Sequence, residues 1–525
     1  MAAMALMRAP CDAAILPADE LVPCRASAQP WILAATILAS SMAFIDGTVV
    51  NVALPALQSA FHATVVGIQW VVESYGLFLS ALILVGGLLG DLLGRRLIFL
   101  TGVALFAVAS MVCGIASSLP ELIIARSMQG VGAALLVPGS LAIISTSFDE
   151  KSRGKAIGTW SGFTAITTAA GPVLGGWLVQ HASWRWVFFI NLPLAVAVIA
   201  ISLWKIPESR SAKVRGVDWV GAALTITGLA GIVNGFIESA NLGWSNPVVW
   251  ASLIIGFVCL IAFPFIEARK AAPIVPLELF KNSSFSGANL LTLSFYAAIG
   301  IFFFLLPLNL IQVQNYSSTA TGAAILPLIV LIFLLSRWSG GLVARYGARG
   351  PLILGPIITA VGFALFALLP SESSYWKTFF LPTLVLGLGM AVTVAPLTTV
   401  VMDSVDEDHV GTASGINNSV ARVAGVLAVA VIMIAMVFAF RTRLNHLLSS
   451  LSLPKEIIEE IQSREISLAA LQVPSNLAPA LQSSIREMIR ESFIYGFRAV
   501  MLICAALSIA SAAVASLMIP KNRVL

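Results

Sequence analysis

Charged residues are scarce in this sequence. Only 10% of its 525 residues are Asp, Glu, Lys or Arg, whereas 58% are hydrophobic and the mean hydropathy is +0.95. Water-soluble domains usually carry about 25% charged residues, because polar surface must cover their core. The composition therefore excludes a large soluble protein and predicts an integral membrane protein with many spans.

Patterns typical of catalysis and metal binding are also missing. The sequence contains only four histidines, all in or near predicted loops, and no G-x-x-x-x-G-K-[ST] nucleotide-binding pattern. Its five cysteines show no metal-ligand spacing; they are Cys11, Cys24, Cys113, Cys259 and Cys504. We therefore expect no enzymatic activity, no metal and no cofactor, so a proton or other ion gradient must supply energy. The net charge of +5 is small for this length and does not indicate nucleic-acid binding.

Long apolar segments follow a polar start. Residues 1–30 contain four prolines and lack the continuous apolar region of a signal peptide, so we predict a disordered cytoplasmic leader. The later segments predict roughly fourteen transmembrane helices, since about twenty apolar residues cross a bilayer as a helix. The predicted spans are 31–53, 68–92, 96–116, 121–146, 155–180, 184–205, 217–237, 247–268, 285–312, 319–345, 351–370, 376–401, 411–439 and 495–519.

Basic residues are concentrated in alternate loops. Arg95 and Arg96 lie between the second and third spans, whereas loops 54–67 and 313–318 contain no Lys or Arg. Cytoplasmic loops are enriched in Lys and Arg, so the pattern predicts that both termini are cytoplasmic. The long charged segment 440–494 is then external, and its 454–464 and 478–493 stretches predict an amphipathic helical hairpin.

The sequence also repeats a short pattern. The spacing G-x-x-x-D-x-x-G-x-R at 87–96 recurs at 340–349, with Ala344 in place of Asp91. The repeat predicts two similar six-helix bundles, 31–206 and 284–525, which flank two additional helices and linkers within 207–283. Internal repeats of this kind are typical of transporters, whose substrate sites lie between the repeats.

Four motifs resemble those of one family. GGLLGDLLGRR at 86–96 is similar to the loop signature of the major facilitator superfamily. FIDGTVVNVALP at 44–55, ARSMQGVGAALLVPG at 125–139 and GPVLGG at 171–176 resemble motifs of its fourteen-helix drug:proton antiporter branch. The resemblance covers about residues 31–520. It implies an all-α major facilitator fold in a bacterial inner membrane, with two inserted helices, and multidrug efflux that confers antibiotic resistance.

Three charged residues lie within predicted spans at similar depth. Asp46, Glu73 and Arg126 fall in the outer half of the N-terminal bundle, where a carboxylate–arginine network is possible. We predict that Asp46 or Glu73 gains and loses a proton, while Arg126 alters its proton affinity. Static hydrogen bonds between helices are the alternative for all three residues.

Four polar residues elsewhere in the spans are candidates for the substrate cavity. Arg422 and Asn418 lie near the midplane of the C-terminal half, where Arg422 can contact a polar or anionic substrate group or a backbone carbonyl. Asn234 and Glu238 lie in the seventh span, and Glu238 is close to its outer end. An interfacial position is the alternative for Glu238, and a hydrogen bond to a neighbouring helix is the alternative for Asn234.

Two glycine-rich motifs suggest gates. We predict that a cytoplasmic gating motif, in which Asp91 binds a helix N-terminus or an arginine, consists of Gly87, Asp91, Gly94, Arg95 and Arg96. In the resembled family the GPVLGG element is associated with closure of the external side. The corresponding external gating motif here consists of Gly171, Pro172, Gly175 and Gly176.

These features lead to one main hypothesis and two alternatives. The main hypothesis is proton-coupled export of hydrophobic small molecules, cations among them, by alternating access. The partners would be the substrate, protons and the lipid bilayer, with periplasmic adaptors as further candidates and no nucleic acid. The alternatives are a dedicated exporter or importer of one metabolite, and a non-transporting membrane sensor or scaffold.

Overall fold

The structure is a computed structural model that describes residues 27–148, 150–210, 218–270, 273, 275–368, 375–405, 410–449, 457–458, 461, 465–471, 473 and 477–521. Fourteen helical segments of this part are long and apolar enough to cross a membrane, and none of the described residues forms a β-strand. The predicted all-α polytopic fold is therefore confirmed. Residues 1–26 of the predicted leader lie outside the described residues, and the first helix already begins at Gln29.

Seventeen α-helices are described. In chain order they are α1 Gln29–Phe61, α2 Val65–Leu93, α3 Arg95–Ile115, α4 Leu119–Ser147, α5 Glu150–His181, α6 Trp186–Phe189, α7 Asn191–Lys205, α8 Trp219–Leu242, α9 Pro247–Glu267, α10 Ser283–Leu308, α11 Ser318–Ala324, α12 Leu326–Tyr346, α13 Arg349–Ala367, α14 Tyr375–Thr378, α15 Phe380–Asp403, α16 Val410–Leu448 and α17 Pro479–Met518. Helix α10 continues as one π-helical turn at Asn309–Val313.

Several helices differ from the predicted spans. The tenth span consists of α11 and α12, which are separated at Ile325 because Pro327 cannot donate the backbone hydrogen bond of a continuous helix. Helix α16 extends to Leu448, beyond the predicted end at residue 439. The stretch 478–493, predicted as a separate amphipathic helix, is instead largely the first part of α17 and continues directly into the last span.

The structure describes only part of the predicted external segment 440–494. Residues 450–456, 459–460, 462–464, 472 and 474–476 lie outside the described residues, and these include most of the predicted helix 454–464. The described part contains a short 3-10 helix at Glu465–Ala470, whose Glu465 accepts a hydrogen bond of 2.5 Å from Arg441 Nε. This ion pair holds the segment against the end of α16.

Small residues allow the helices of each bundle to approach closely. On α2, a Cβ atom at Gly86 would overlap the backbone of Ala134 in α4. On α4, a Cβ atom at Gly130 would lie 2.5 Å from the carbonyl oxygen of Tyr75. Glycine contacts of this kind let helices pack by close backbone approach in a membrane, where apolar burial alone does not favour association. They fix α4 against α2 and thereby place Arg126.

The two additional helices pack on each other and on both halves. Gly231 of α8 lies opposite Gly256 of α9, where a Cβ atom on either residue would overlap backbone atoms of the other helix. Helix α8 also contacts α2 and α16, which belong to the N-terminal and C-terminal halves. The added pair therefore lies beside the line where the two halves meet.

Candidate functional site

Asp46 and Arg126 form an ion pair inside the N-terminal bundle. Arg126 Nη1 donates to Asp46 Oδ2, and Gln129 Nε2 donates to Asp46 Oδ1 at 2.7 Å. Arg126 Nη1 also donates to Gln129 Oε1 at 2.8 Å. The two charged residues are 0% and 1% exposed, so each charge is compensated within the protein and not by water.

A second layer of polar groups surrounds this pair. Asn191 Nδ2 donates to Ser110 Oγ at 3.0 Å and lies 3.4 Å from Asp46 Oδ1. Ser110 Oγ in turn donates to the carbonyl oxygen of Phe188 at 2.8 Å. Helices α1, α3, α4 and α7 each supply one side chain or more, so the cluster joins four elements of one bundle.

Arg126 is held in place by further contacts. Its Nε donates to the carbonyl oxygen of Val71 at 3.1 Å, and its guanidinium carbon lies 4.3 Å from the ring centroid of Tyr75. Helix α4 begins at a capping box in which Ser118 and Glu121 bond each other's backbone, and this fixes the start of the helix two turns before Arg126. The arginine is thus positioned from both α2 and α4.

Glu73 lies outside this cluster. It is 1% exposed, and none of the described residues provides a hydrogen-bond partner for its Oε2 atom. On α2 it lies on the same face as Gln69, whose Nε2 donates to the carbonyl oxygen of Val429 in α16, whereas Val71 and Tyr75 face Arg126. The structure therefore brings Asp46 and Arg126 together but directs Glu73 towards the other half.

Arg422 and Asn418 lie on one face of α16. The guanidinium carbon of Arg422 lies 5.6 Å from the ring centroid of Phe44 in α1, and Asn418 is exposed, with its Nδ2 donating to the carbonyl oxygen of Ser414 at 3.0 Å. Helix α1 belongs to the N-terminal half and α16 to the C-terminal half. Arg422 therefore lies between the two halves, where the sequence predicts a substrate cavity.

The external gating motif GPVLGG divides between two neighbours. A Cβ atom at Gly171 or Gly175 would overlap α1, at Thr48 or Val49, within the same bundle. A Cβ atom at Gly176 would instead overlap the backbone of α11 in the other half, at Ser318 and Thr319. Only the last glycine of the motif thus lies directly between the halves.

The same contact is completed from the opposite side. A Cβ atom at Gly322 of α11 would overlap the backbone of Pro172, and the backbone amide of Thr319 donates to Gln180 Oε1 at 3.4 Å. Nearby, Gln312 Nε2 donates to Gln58 Oε1 at 2.9 Å, which links α1 with the end of α10. These contacts close the two halves against each other at the end of the molecule that the sequence predicts to be external.

The cytoplasmic gating motif forms the turn between α2 and α3. Asp91 accepts a hydrogen bond of 2.8 Å from Arg95 Nε, so the partner of Asp91 is the arginine of its own motif. Gly94 adopts φ 127°, a backbone conformation that favours glycine, and Gly347 in the second copy has φ 74°. The two copies therefore form similar turns, although the side chain of Ala344 lies outside the described part.

Glu208 binds this motif, although the sequence of the motif does not indicate it. Its carboxylate accepts hydrogen bonds of 3.1 Å from the backbone amides of Arg96 and Leu97, at the N-terminus of α3. Arg96 Nη1 donates to the carbonyl oxygen of Ile206 at 3.0 Å. The chain after α7 thus binds the positive end of the α3 helix dipole, more than a hundred positions away in the sequence.

We expect Asp91→Asn to reduce transport while leaving insertion and stability nearly unchanged. The Asp91–Arg95 pair is partly exposed, and such pairs contribute at most about 1 kcal/mol to stability. The measurement is substrate flux in proteoliposomes, together with the thermal unfolding midpoint in detergent. Glu208→Gln is the matched control, because it weakens the α3 cap without touching Asp91. Normal flux in Asp91→Asn would mean that the charges of this motif only help to set the membrane topology.

Comparisons with known proteins agree with this architecture. The sequence model of the Major Facilitator Superfamily matches residues 36–429. The chain belongs to this superfamily. The predicted family and its membrane-transporter fold are therefore confirmed.

Two relatives of this superfamily member are resistance proteins by name. Multidrug resistance protein Stp of Mycobacterium tuberculosis (strain CDC 1551 / Oshkosh) is 35% identical over 407 residues, which are 77% of this chain and 75% of that protein. The tetracenomycin C resistance and export protein of Streptomyces glaucescens is 30% identical over 492 residues, 93% and 91% of the two chains.

A solved structure shares the fold. It is a bacterial homolog of the human lysosomal transporter Spinster, in an inward-facing and unoccupied conformation. Its TM-score to this chain is 0.64 at 17% sequence identity, over 93% of this chain and 98% of that one. This similarity extends the superfamily fold to almost the whole length of the present transporter.

Two candidate cavity residues of the transporter, Asn234 and Glu238, lie on the inserted helix α8. Asn234 Nδ2 donates to Ser252 Oγ at 2.8 Å, which joins α8 to α9. Glu238 Oε1 accepts a hydrogen bond of 3.1 Å from Trp70 Nε1, and its Oε2 accepts one of 3.2 Å from Asn241 Nδ2. Asn234 therefore connects α8 to α9, which is the alternative considered for it from the sequence. Glu238 connects α8 to α2.

The polar residues Ser110, Gln129 and Asn191 were not identified as site residues from the sequence. Neutral polar side chains are common in transmembrane helices, so their presence alone does not indicate a site. Gln129 lies one turn after Arg126 and carries a usable signal, because residues three apart share a helix face. Among the described residues, no group of three or more His, Cys, Asp or Glu side chains could bind a metal ion.

Proposed function

We propose that this transporter exports hydrophobic small molecules from the cytoplasm in exchange for protons. Its relatives are named for multidrug resistance and for the resistance to and export of an antibiotic, which supports drug-like molecules as substrates. Proton coupling is supported by the Asp46–Arg126 ion pair, which is fully buried in transmembrane helices. An ionisable pair at this position is costly, and such pairs commonly serve proton relays.

Proton exchange would occur at Asp46. In this structure Asp46 Oδ2 accepts a hydrogen bond from Arg126 Nη1, and an adjacent cation favours the ionised form of a carboxylate. If the bundle rearranges and separates the two side chains, a buried carboxylate without a cation is favoured only when it is protonated. Cycling between these arrangements would couple proton uptake from one side to opening towards the other.

Glu73 is the second candidate for proton exchange. It is buried without a cationic partner among the described residues, so its neutral form is the stable one in this conformation. Its face of α2 is directed towards α16, so movement of the two halves would change its surroundings directly. Asp46 and Glu73 would then experience opposite changes during one transport cycle.

Alternating access would use the two gating motifs. The glycine contacts between α5 and α11 keep one end closed, and the α2–α3 turn with Asp91 and Arg95 would close the other end. The protein would lie in a bacterial inner membrane with both termini in the cytoplasm, and periplasmic adaptors are candidate partners. No cofactor is required, because the proton gradient supplies the energy.

The test is a flux assay with purified protein in proteoliposomes. Ethidium serves as substrate, a pH gradient is imposed, and a trapped pH-sensitive dye reports proton movement. The wild-type protein should exchange protons for ethidium, and Asp46→Asn should abolish this coupling. Glu487→Gln, on the exposed start of α17, is the matched carboxylate control. Unchanged coupled transport in both Asp46→Asn and Glu73→Gln would refute the proposed mechanism.

A further inference from the structure

Two helix faces lie opposite each other between the halves. On α1, residues Phe44, Gly47 and Asn51 share one face, and Gly47 is exposed although it lies in the middle of a long transmembrane helix. On α16, Asn418, Arg422 and Gly425 share a face at positions i, i+4 and i+7. The distance of 5.6 Å between Arg422 and the ring of Phe44 shows that these two faces meet.

The space beside Arg422 is open. A Cβ atom on Gly425, one turn after Arg422, would meet no atom of a neighbouring element within 4 Å. Asn418, one turn before it, is exposed, and its Nδ2 donates to a carbonyl oxygen of its own helix. The exposure of Asn418 and the free space at Gly425, both within a span, indicate a cavity between α1 and α16 that solvent or a ligand can fill.

The charge of Arg422 is not compensated within the described residues. No ion pair or hydrogen bond joins it to any of them, and its aromatic contact with Phe44 provides no negative charge. Asp46 is already neutralised by Arg126, and the cation-free Glu73 is stable in its neutral form. An arginine remains charged in proteins, so this cavity has a net positive charge.

An uncompensated guanidinium in a transmembrane cavity favours a particular ligand chemistry. Its planar set of N–H donors matches a carboxylate, which it can bind through two parallel hydrogen bonds. The aromatic face of Phe44 beside it suits the apolar part of an amphiphilic molecule. A permanently cationic substrate would gain nothing from Arg422 and would be repelled by it.

We propose that Arg422, assisted by Asn418, binds a carboxylate on the transported molecule, so that hydrophobic organic acids are among its substrates. The inference rests on the proposed export function and specifies one chemical class within it. Arg422 would act as a specificity residue of the C-terminal half, while Asp46 and Arg126 serve proton exchange in the N-terminal half. Substrate binding and proton binding would then use separate groups.

The test compares an acid with its ester on the full-length purified protein. Binding of nalidixic acid, of its methyl ester and of ethidium is measured at pH 7 by quenching of tryptophan fluorescence. Arg422→Gln should weaken binding of the acid by about tenfold to a hundredfold, because a hydrogen bond between charged groups is lost. Binding of the ester should change by less than about twofold, and binding of ethidium should be equal or stronger because the repelling charge is removed. Arg422→Lys should retain part of the affinity for the acid.

Two further variants make the result specific. Arg443→Gln removes an arginine from the same helix outside the predicted span, where it pairs with Glu491, and should leave all three affinities unchanged. Asn418→Asp places a negative charge beside Arg422 on an exposed position. It should weaken binding of the acid but not of the ester, and it tests the inference even if Arg422→Gln fails to fold.

Two results would overturn the inference. One is equal loss of acid and ester binding in Arg422→Gln, which would give Arg422 a packing role. The other is that the wild-type protein binds the acid no more tightly than the ester. Proton-driven ethidium flux in the same preparation separates the two proposals, because it tests export independently of Arg422. If ethidium flux persists and selectivity for the acid is absent, only the present inference is wrong.

Discussion

Replacement of Arg126 by methionine should strongly destabilise the protein. Methionine has a similar length but no charge, so the carboxylate of Asp46 would remain buried at 0% exposure without its cation. Removal of one partner from a buried ion pair typically costs about 3–5 kcal/mol. The free energy of unfolding should fall by this amount, and coupled transport should be lost.

A double variant separates pairing from packing. In Asp46→Asn combined with Arg126→Met, neither partner carries a charge, and Gln129 and Asn191 can still bond the new amide. Replacement of both members of a buried pair by neutral groups is often close to neutral for stability. The double variant should therefore recover most of the lost unfolding free energy without recovering proton coupling. A double variant as unstable as Arg126→Met alone would contradict this account.

The second large effect is expected at Gly176. Leucine at this position would overlap the backbone of Ser318 and Thr319, so the two halves could not close at the external end. Overpacking of a tight contact costs about 1–3 kcal/mol, which shifts a conformational equilibrium by about 5- to 150-fold. The cost falls on the closed conformation alone, so transport should be lost while each bundle keeps its own stability.

Gly175 is the matched control for Gly176. Leucine at Gly175 would collide with Val49 inside the N-terminal bundle, where a Cβ atom would already lie 3.2 Å from the Cα atom of Val49. This substitution should therefore lower the thermal unfolding midpoint in detergent. Gly176→Leu should instead leave the midpoint almost unchanged.

Cysteine labelling measures the opening directly. In a background without native cysteines, Asn51→Cys reports access to the cavity face of α1 from the external side. A membrane-impermeant maleimide should label this cysteine faster when Gly176→Leu is present than when it is absent. Equal labelling rates in the two proteins would show that the α5–α11 contact does not control access.

Asp46 and Arg126 show how far sequence reasoning reached within the site. Both are charged residues in apolar spans at similar depth, and the cost of burying a charge in a membrane leaves few arrangements other than a pair. Glu73 satisfies the same depth criterion but faces α16, because it lies on a different side of α2 from Val71 and Tyr75. Depth along a helix can be counted from the sequence, whereas direction around the helix depends on how it packs.

Glu208 shows a different limit. Its carboxylate binds the start of α3 through backbone amides, which carry no residue-specific signal in the sequence. A pairing of this kind depends on the path of the chain after α7. The cytoplasmic motif could therefore be recognised from its own residues, but its second acidic residue could not.

The sequence by itself determined the membrane class, the fourteen spans, the two repeated halves and the residues that carry charge into the bilayer. These follow from hydropathy and spacing, because a bilayer requires each spanning segment to satisfy its own backbone hydrogen bonds. The tertiary structure alone decided which neighbour each residue meets. Gly175 and Gly176 are adjacent in sequence, but a helix rotates by about 100° per residue, so one contacts its own bundle and the other contacts the opposite half.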